Sequence, residues 1–200
     1  LILGTALSLI TLFSNHTEAK ALDVPFYAFS HQQGHIAAAL WSAGRMELLG
    51  QTFLAWHLSG GTTELLYVTP EGVSVHAEKI GGTTDISAGQ LIDRTGQLLE
   101  LPFPSGKAID ALSREVSGKE RFRVKVQGTS FSLSGVQNKV QEFFPGGASR
   151  ADTAGYVLRC LIGAIVEATQ NALKEHPGCD VVFAGGVSSN TMLRERCKAL

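Results

Sequence analysis

The sequence predicts an α/β fold in two lobes, and three observations carry that prediction. Apolar segments of strand length, separated by Gly, Pro or Thr, crowd residues 52–80. An apolar stripe of period 3.6 runs from about Arg150 to Lys174. Near the end, Asp180-Val181-Val182-Phe183-Ala184 passes through Gly185-Gly186 into a helical pattern, a β-Gly-Gly-α unit. No repeat at roughly 20 to 50 residues and no low-complexity tract interrupts this order.

Composition narrows the class. The 200 residues are 44% hydrophobic and 18% charged, enough for one large core or two small ones, which excludes disordered and fibrous chains. With 17 Lys+Arg against 18 Asp+Glu the net charge is −1, so no basic field advertises DNA binding, and a nucleic-acid partner would need a local patch or a second subunit. Cys160, Cys179 and Cys197 are odd in number and lack Cys-x-x-Cys spacing, which argues against a disulfide framework or a zinc knuckle and for a reducing cytoplasm. Leu1 to Phe13 are nearly all apolar but have no basic flank and fall short of the ~20 residues of a membrane span, so buried structure and no membrane partner are expected. Asn15-His16-Thr17 matches the glycosylation sequon, without consequence in a cytoplasmic chain. The chain opens on Leu and stops at Leu200 inside a predicted helix, as a fragment would.

Taken in order, a helix ending near Leu22 precedes an aromatic-rich strand from Val24 to Ser30. Ser30 caps a helix whose face carries His31, His35, Ala38 and Ser42, with Gly44 as its stop. Three antiparallel strands follow at Phe53 to Leu58, Glu64 to Val68 and Val73 to Ala77. Helices are expected over Ser87 to Glu100, with Asp85 as cap, and over Gly106 to Val116, then a short strand at Arg121 to Val126. The long helix ends at Pro177-Gly178, the buried strand 180–184 follows, and a last helix begins near Asn190.

Four constellations could carry chemistry. In His31-Gln32-Gln33-Gly34-His35 the imidazoles sit one helical turn apart and can reach one metal ion, or they form a packed or solvated pair. Gln32 stands where a zincin has its Glu base and cannot accept a proton, which disfavours metalloprotease chemistry. Ser59-Gly60-Gly61-Thr62-Thr63-Glu64 reads either as a hairpin turn or as backbone N–H groups turned toward phosphate or carboxylate oxygens. Ala184-Gly185-Gly186-Val187-Ser188-Ser189-Asn190 places glycines where a nucleotide approaches backbone and helix N-terminus. Last, Asp85, Asp93 and Asp110 could bracket a ribose or an amino group. Asp85 and Asp110 serve equally as caps, whereas Asp93 lies among Leu91, Ile92 and Leu98, where a carboxylate costs desolvation unless a ligand uses it.

The order of these motifs is more specific than any one of them. His31-x-x-Gly-His35, Ser59-Gly-Gly-Thr, Ala88-Gly89-x-x-x-Asp93-Arg94, Phe103-Pro104-x-Gly106, Phe131-Ser132-Leu133-Ser134-Gly135 and Ala184-Gly-Gly-Val-Ser-x-Asn190 resemble, over about Val24 to Leu200, the tRNA threonylcarbamoyltransferase family, formerly labelled O-sialoglycoprotein endopeptidases or glycoproteases. The resemblance implies the actin-like ATPase fold, incomplete at both ends here. Residues 1–50 would be the remainder of the first lobe with a metal-binding helix, and residues 51–200 a partial second lobe. It implies transfer of threonylcarbamoyl from L-threonylcarbamoyladenylate to the exocyclic amine of the adenosine after the anticodon in ANN-decoding tRNAs. By motif, His31 and His35 would hold one divalent metal ion per subunit, iron or zinc, while His57, Leu58, Ser59, Gly60, Gly61, Asp93, Gly106, Asp110 and Asn190 would contact the adenylate. The family's third ligand, an Asp, belongs to a segment downstream of residue 200. Expected partners are tRNA, a paralogous actin-like subunit and an accessory ATPase.

Three departures stand out: Thr62 where the family has His, Ile86 where its second Asp falls, and Gln90 in place of Glu. They support an alternative, a non-catalytic actin-like paralogue serving as a nucleotide-binding or dimerisation scaffold.

Overall fold

The computed structural model describes residues 18–24, 30–72, 74–116 and 120–198, with the His31 side chain also outside that description. The strand expected at 24–30 and most of the first helix therefore lie outside the described residues. Helix α1 (His31–Ala43) starts as its sequence dictates: the Ser30 hydroxyl accepts from Gln33 N–H, the Gln33 amide returns to the Ser30 N–H, and Gly44 closes the helix in the left-handed conformation at φ 67°.

Among the described residues six strands form one mixed sheet: β1 (Phe53–Leu58), β2 (Thr63–Glu71), β3 (Ser74–Thr83), β4 (Val126–Gln127), β5 (Ser130–Phe131) and β6 (Asp180–Ala184), in the order β4-β5-β3-β2-β1-β6. The meander β1-β2-β3 is antiparallel as expected, and β6 runs parallel to β1, pairing Phe53 with Asp180 and His57 with Ala184. All of β1 is buried, because both sheet faces are covered. Leu54, Trp56 and Leu58 point into one core, while Phe53 and Ala55 share a second with Ile36 and Leu40 of α1 and with Leu66, Val68 and Val75. By alternation His57 falls on the α1 side.

The first core is formed by α2 (Ala88–Leu98), α3 (Gly106–Ser113), α4 (Ser134–Phe143), α5 (Arg150–Glu175) and α6 (Thr191–Cys197). The 26-residue α5 buries the expected stripe, and its Thr169 hydroxyl accepts from the indole N–H of the fully buried Trp56 at 2.9 Å, tying helix to central strand.

Several expectations need correction. The β3 strand runs on to Thr83, through Glu78 and Lys79 that face solvent. Residues 121–125 are irregular, with only Val126–Gln127 paired. Helix α4 escapes sequence reading because its N-cap is Leu133, without a side-chain bond, and only Val136 and Val140 are buried, too few for a visible stripe. Strand β6 is half-exposed rather than fully buried, and among the described residues it pairs with β1 alone. Helix α2 is capped by Ser87 and Gln90 rather than by Asp85.

Replacing Thr169 by Val removes the acceptor for a buried indole N–H while keeping shape. A loss of about 1–3 kcal/mol is expected, visible as a lowered midpoint in thermal or urea unfolding.

Candidate functional site

In a sheet with parallel strands, chain ends and loops at the carboxyl edge create the crevice in which ligands bind. Here β1 and β6 end side by side, and the turns that follow them meet at that edge. Gly185, at φ 94°, lies so close to the Leu58 carbonyl that a Cβ would collide with it. On the other flank a Cβ on Gly89 would stand 2.5 Å from Gly60 Cα. The turn after β1 is thus held between two glycines that admit no side chain. Within it Ser59 and Thr62 bond each other, the Ser59 N–H to the Thr62 carbonyl at 2.8 Å and the Thr62 N–H to the Ser59 hydroxyl at 3.0 Å. The Ser87 hydroxyl donates to the Gly60 carbonyl at 2.6 Å and the Ala88 N–H to the Thr63 hydroxyl at 2.7 Å, docking the start of α2 on the same turn. The Leu58 side chain is wholly in the core, so this residue offers only its backbone.

Gly60, Gly61, Gly106 and Gly186 form a contrasting set. None has a left-handed φ, and a Cβ on any of them would meet nothing within 4 Å. Neither backbone strain nor packing requires glycine at these positions.

The acidic residues are engaged with neighbouring elements. Asp93 Oδ1 accepts from the Ser105 N–H at 2.8 Å, fixing the entry to α3 immediately before Gly106. Asp110 Oδ1 accepts from Asn190 Nδ2 and from the Thr191 N–H, and Oδ2 from the Thr191 hydroxyl, each at 2.8 Å, with Arg114 at 3.4 Å. Asn190 caps α6 by accepting from the Leu193 N–H at 3.0 Å. The structure therefore joins Asp110 to Asn190 across 80 residues of sequence.

Asp85 does not reach into the crevice. Its carboxylate accepts from the Ser132 hydroxyl, from the Leu133 N–H at 2.8 Å and from the Ser134 N–H at 3.2 Å, clasping the end of β3 to the start of α4. This residue, read from sequence as a cap for α2 or a ligand contact, is the missing cap of α4. Burial pushes its carboxyl up, but the hydrogen bonds from Ser132, Leu133 and Ser134 outweigh burial and hold it well below the usual carboxylate range. Burial also pushes the thiols of Cys160, Cys179 and Cys197 up, the last to about 11, so none is a thiolate nucleophile at neutral pH.

On the opposite face of the sheet, the His35 ring lies against buried His57, with centroids 4.4 Å apart and planes tilted by 34°. His31 occupies the preceding turn of α1. Imidazole donors suit iron or zinc, so the residues fit such an ion in kind. Among the described residues no group of three or more His, Cys, Asp or Glu gathers around one point. No helix among the described residues is long and apolar enough to cross a membrane.

Fold and geometry define a mixed α/β protein in which glycine turns meet at the carboxyl ends of the neighbouring parallel strands β1 and β6. The model of one family, tRNA N6-adenosine threonylcarbamoyltransferase, matches residues 4–200, and the chain belongs to that family. Relatives bearing that name include one from Carboxydothermus hydrogenoformans, 36% identical over 182 residues that make up 88% of this chain and 52% of the relative. Another, from Thermus thermophilus, is 36% identical over 90% of this chain and 54% of its own length. A third, from Lacticaseibacillus casei, is 33% identical over 94% of this chain and 55% of its own. The chain spans about half the length of these relatives. The fold is the actin-like α/β architecture that the motif series implied. It is also seen in the crystal structure of HypF from T. kodakarensis, at TM-score 0.70 and 16% identity over 98% of this chain and 36% of that one.

The clasp at Asp85 makes a pH prediction. Because the folded carboxyl titrates below the unfolded one, its stabilisation is present above an unfolded value of about 3.9 and is lost as pH falls below it. Asp85→Asn should therefore lower the melting temperature at pH 7, and the gap to wild type should start to narrow as pH falls below about 4, with most of it still present at about pH 3 because the folded carboxyl titrates well below the usual carboxylate range.

Proposed function

We propose that this chain takes part in threonylcarbamoyl transfer from L-threonylcarbamoyladenylate to the exocyclic amine of the adenosine following the anticodon in ANN-decoding tRNAs. The observation that carries this reading, beside family membership, is the set of glycines at the crevice that the chain's own packing does not require. A ligand that must approach the backbone at Gly60, Gly61, Gly106 and Gly186 gives them a reason.

In this reading Gly60 and Gly61 contact the substrate through backbone N–H groups and Ser59 through its hydroxyl, while His57 and Leu58, held in the β1 ladder, carry that turn at the strand's end. Asp93, oriented through the oxygen that accepts from Ser105, offers its second oxygen to a ribose hydroxyl. Asp110 holds Asn190 at the crevice, and a ligand hydroxyl would reach Asp110 by displacing Arg114, its longest contact at 3.4 Å. His31 and His35 hold a divalent ion, iron or zinc, with an Asp from downstream of residue 200 completing the shell. When bound, that ion supplies Lewis-acid polarisation of the carbamoyl carbonyl. A net charge of −1 supplies little attraction for tRNA, which supports recruitment through a paralogous actin-like subunit and an accessory ATPase in the cytoplasm. Residues 1–50 then belong to the first lobe and 51–200 to the second.

The scaffold alternative loses one of its supports. Gln90 accepts from the Ser87 N–H at 3.1 Å in the capping box of α2, the task a Glu performs at that position. An amide there keeps the start of α2 in place.

The test is threonylcarbamoyl transfer to ANN-decoding tRNA by the protein of natural length with its partner subunits. His35→Ala should lower turnover at least 100-fold with adenylate binding retained, and Asn190→Ala should raise KM for the adenylate by about 10-fold. Unchanged product formation in both variants overturns the proposal.

A further inference from the structure

Helix α1 carries the histidine pair, yet its first turn brings no buried apolar side chain to the sheet. Its anchors in the core, Ile36 and Leu40, come later. What holds residues 31–35 is polar. Gln32 Nε2 donates to Glu64 Oε2 at 2.9 Å, and Gln33 Nε2 donates to the Val75 carbonyl at 2.6 Å. Glu64 is directly opposite His57 in the β1–β2 ladder, so the two share a sheet face. Its other oxygen, Oε1, takes Lys79 Nζ at 3.0 Å, and the side chain keeps only 22% exposure. Gln32 and His35 stand three residues apart, one turn of the same helix, and His35 meets His57 at 4.4 Å. The Gln32–Glu64 bond and the His35–His57 contact are thus parallel ties between one helical turn and one cross-strand pair.

From this we infer that Glu64 is a positioning residue: by accepting from Gln32 it sets the distance and rotation at which His35, and with it the preceding turn bearing His31, stands over His57. Lys79 pairs with the other oxygen, Oε1, and so does not take part in the Oε2 bond to Gln32. The inference deepens the proposed function, since it concerns how the helix bearing the metal-binding histidines is registered, but the contact it invokes exists whether or not transfer occurs. Gln32, unable to serve as the base of a zincin, has this use instead.

The experiment reads the histidine rings directly. Imidazole C–H resonances of His35 and His57 are followed at pH 8.5, where unperturbed imidazoles are neutral, in wild type, Gln32→Leu, Glu64→Leu, the double variant, Glu64→Gln and Lys79→Met. Gln32→Leu and Glu64→Leu are each expected to shift both rings by the same amount, the double variant no further, because both break one bond. Glu64→Gln, which keeps an amide oxygen for Gln32, should restore the wild-type shifts, and Lys79→Met should leave them unchanged. Melting temperatures show that each variant remains folded. In the transfer assay the two Leu variants should lower kcat by about 10-fold with KM for the adenylate unchanged, in line with the cost of a misplaced group. Additive shifts in the double variant, or none in either single one, overturn the inference. Ring shifts as expected with no transfer by any variant or by wild type overturn the functional reading and leave the positioning role standing.

Discussion

Burial of β1 on both faces is the constraint on which the rest of the architecture depends. A six-residue strand with every side chain enclosed must serve two cores by alternation: Leu54, Trp56 and Leu58 join the helices around α5, and Phe53 and Ala55 join α1. The same alternation commits His57 to the α1 side and makes it a buried polar group on a strand otherwise apolar, a placement that costs free energy unless neighbours compensate. Because β1 is central and β6 runs beside it in parallel, the carboxyl end of the pair is also where two glycine turns must meet. Core and crevice are two ends of one strand.

Much of this was legible in the residues. Strand-length segments in 52–80, the stripe of α5, the cap Ser30 and the helix start near Asn190 all appear where pattern and capping chemistry put them. Illegible were features fixed by distant partners. Helix α4 has too little apolar face to announce itself, and its start is stabilised by a carboxylate 49 positions earlier, from Ser134 back to Asp85. The partial exposure of β6, which among the described residues pairs with β1 alone, depends on its partners, and its own composition does not encode them. For the site, sequence could nominate Asp110 and Asn190 separately, but their direct bond depends on how α3 and α6 pack.

Asp85, Asp93 and Asp110 illustrate why acidic residues are hard to read in such a chain. Each could be a ligand contact by sequence, and each is found accepting backbone N–H groups at the start of another helix: α4, α3 and α6 respectively. A carboxylate there satisfies otherwise unpaired donors and lies at the positive end of the helix dipole. Capping and ligand binding are not exclusive, because a carboxylate has about four acceptor positions. For Asp93 the capped oxygen fixes the direction of the free one, and for Asp110 the cap holds Asn190. In the proposed function these residues would be immobilised before any ligand arrives, the condition for a site to hold its geometry within a fraction of an ångström.

The two sheet faces obey different rules for the same reason. On the helical face, large apolar contacts set positions, and Trp56 with Thr169 adds one buried bond to an already determined packing. On the α1 face the core is small, and its apolar contacts begin only at Ile36, beyond the first turn of the helix. Side-chain amides therefore take over there. Hydrogen bonds are directional and short-ranged where hydrophobic contact is neither, so a turn positioned by Gln32 and Gln33 is defined in rotation as well as distance. In the proposed role, a histidine pair presenting ring nitrogens to a common point would need that rotational definition more than binding energy, which favours the polar seam over a wider apolar one.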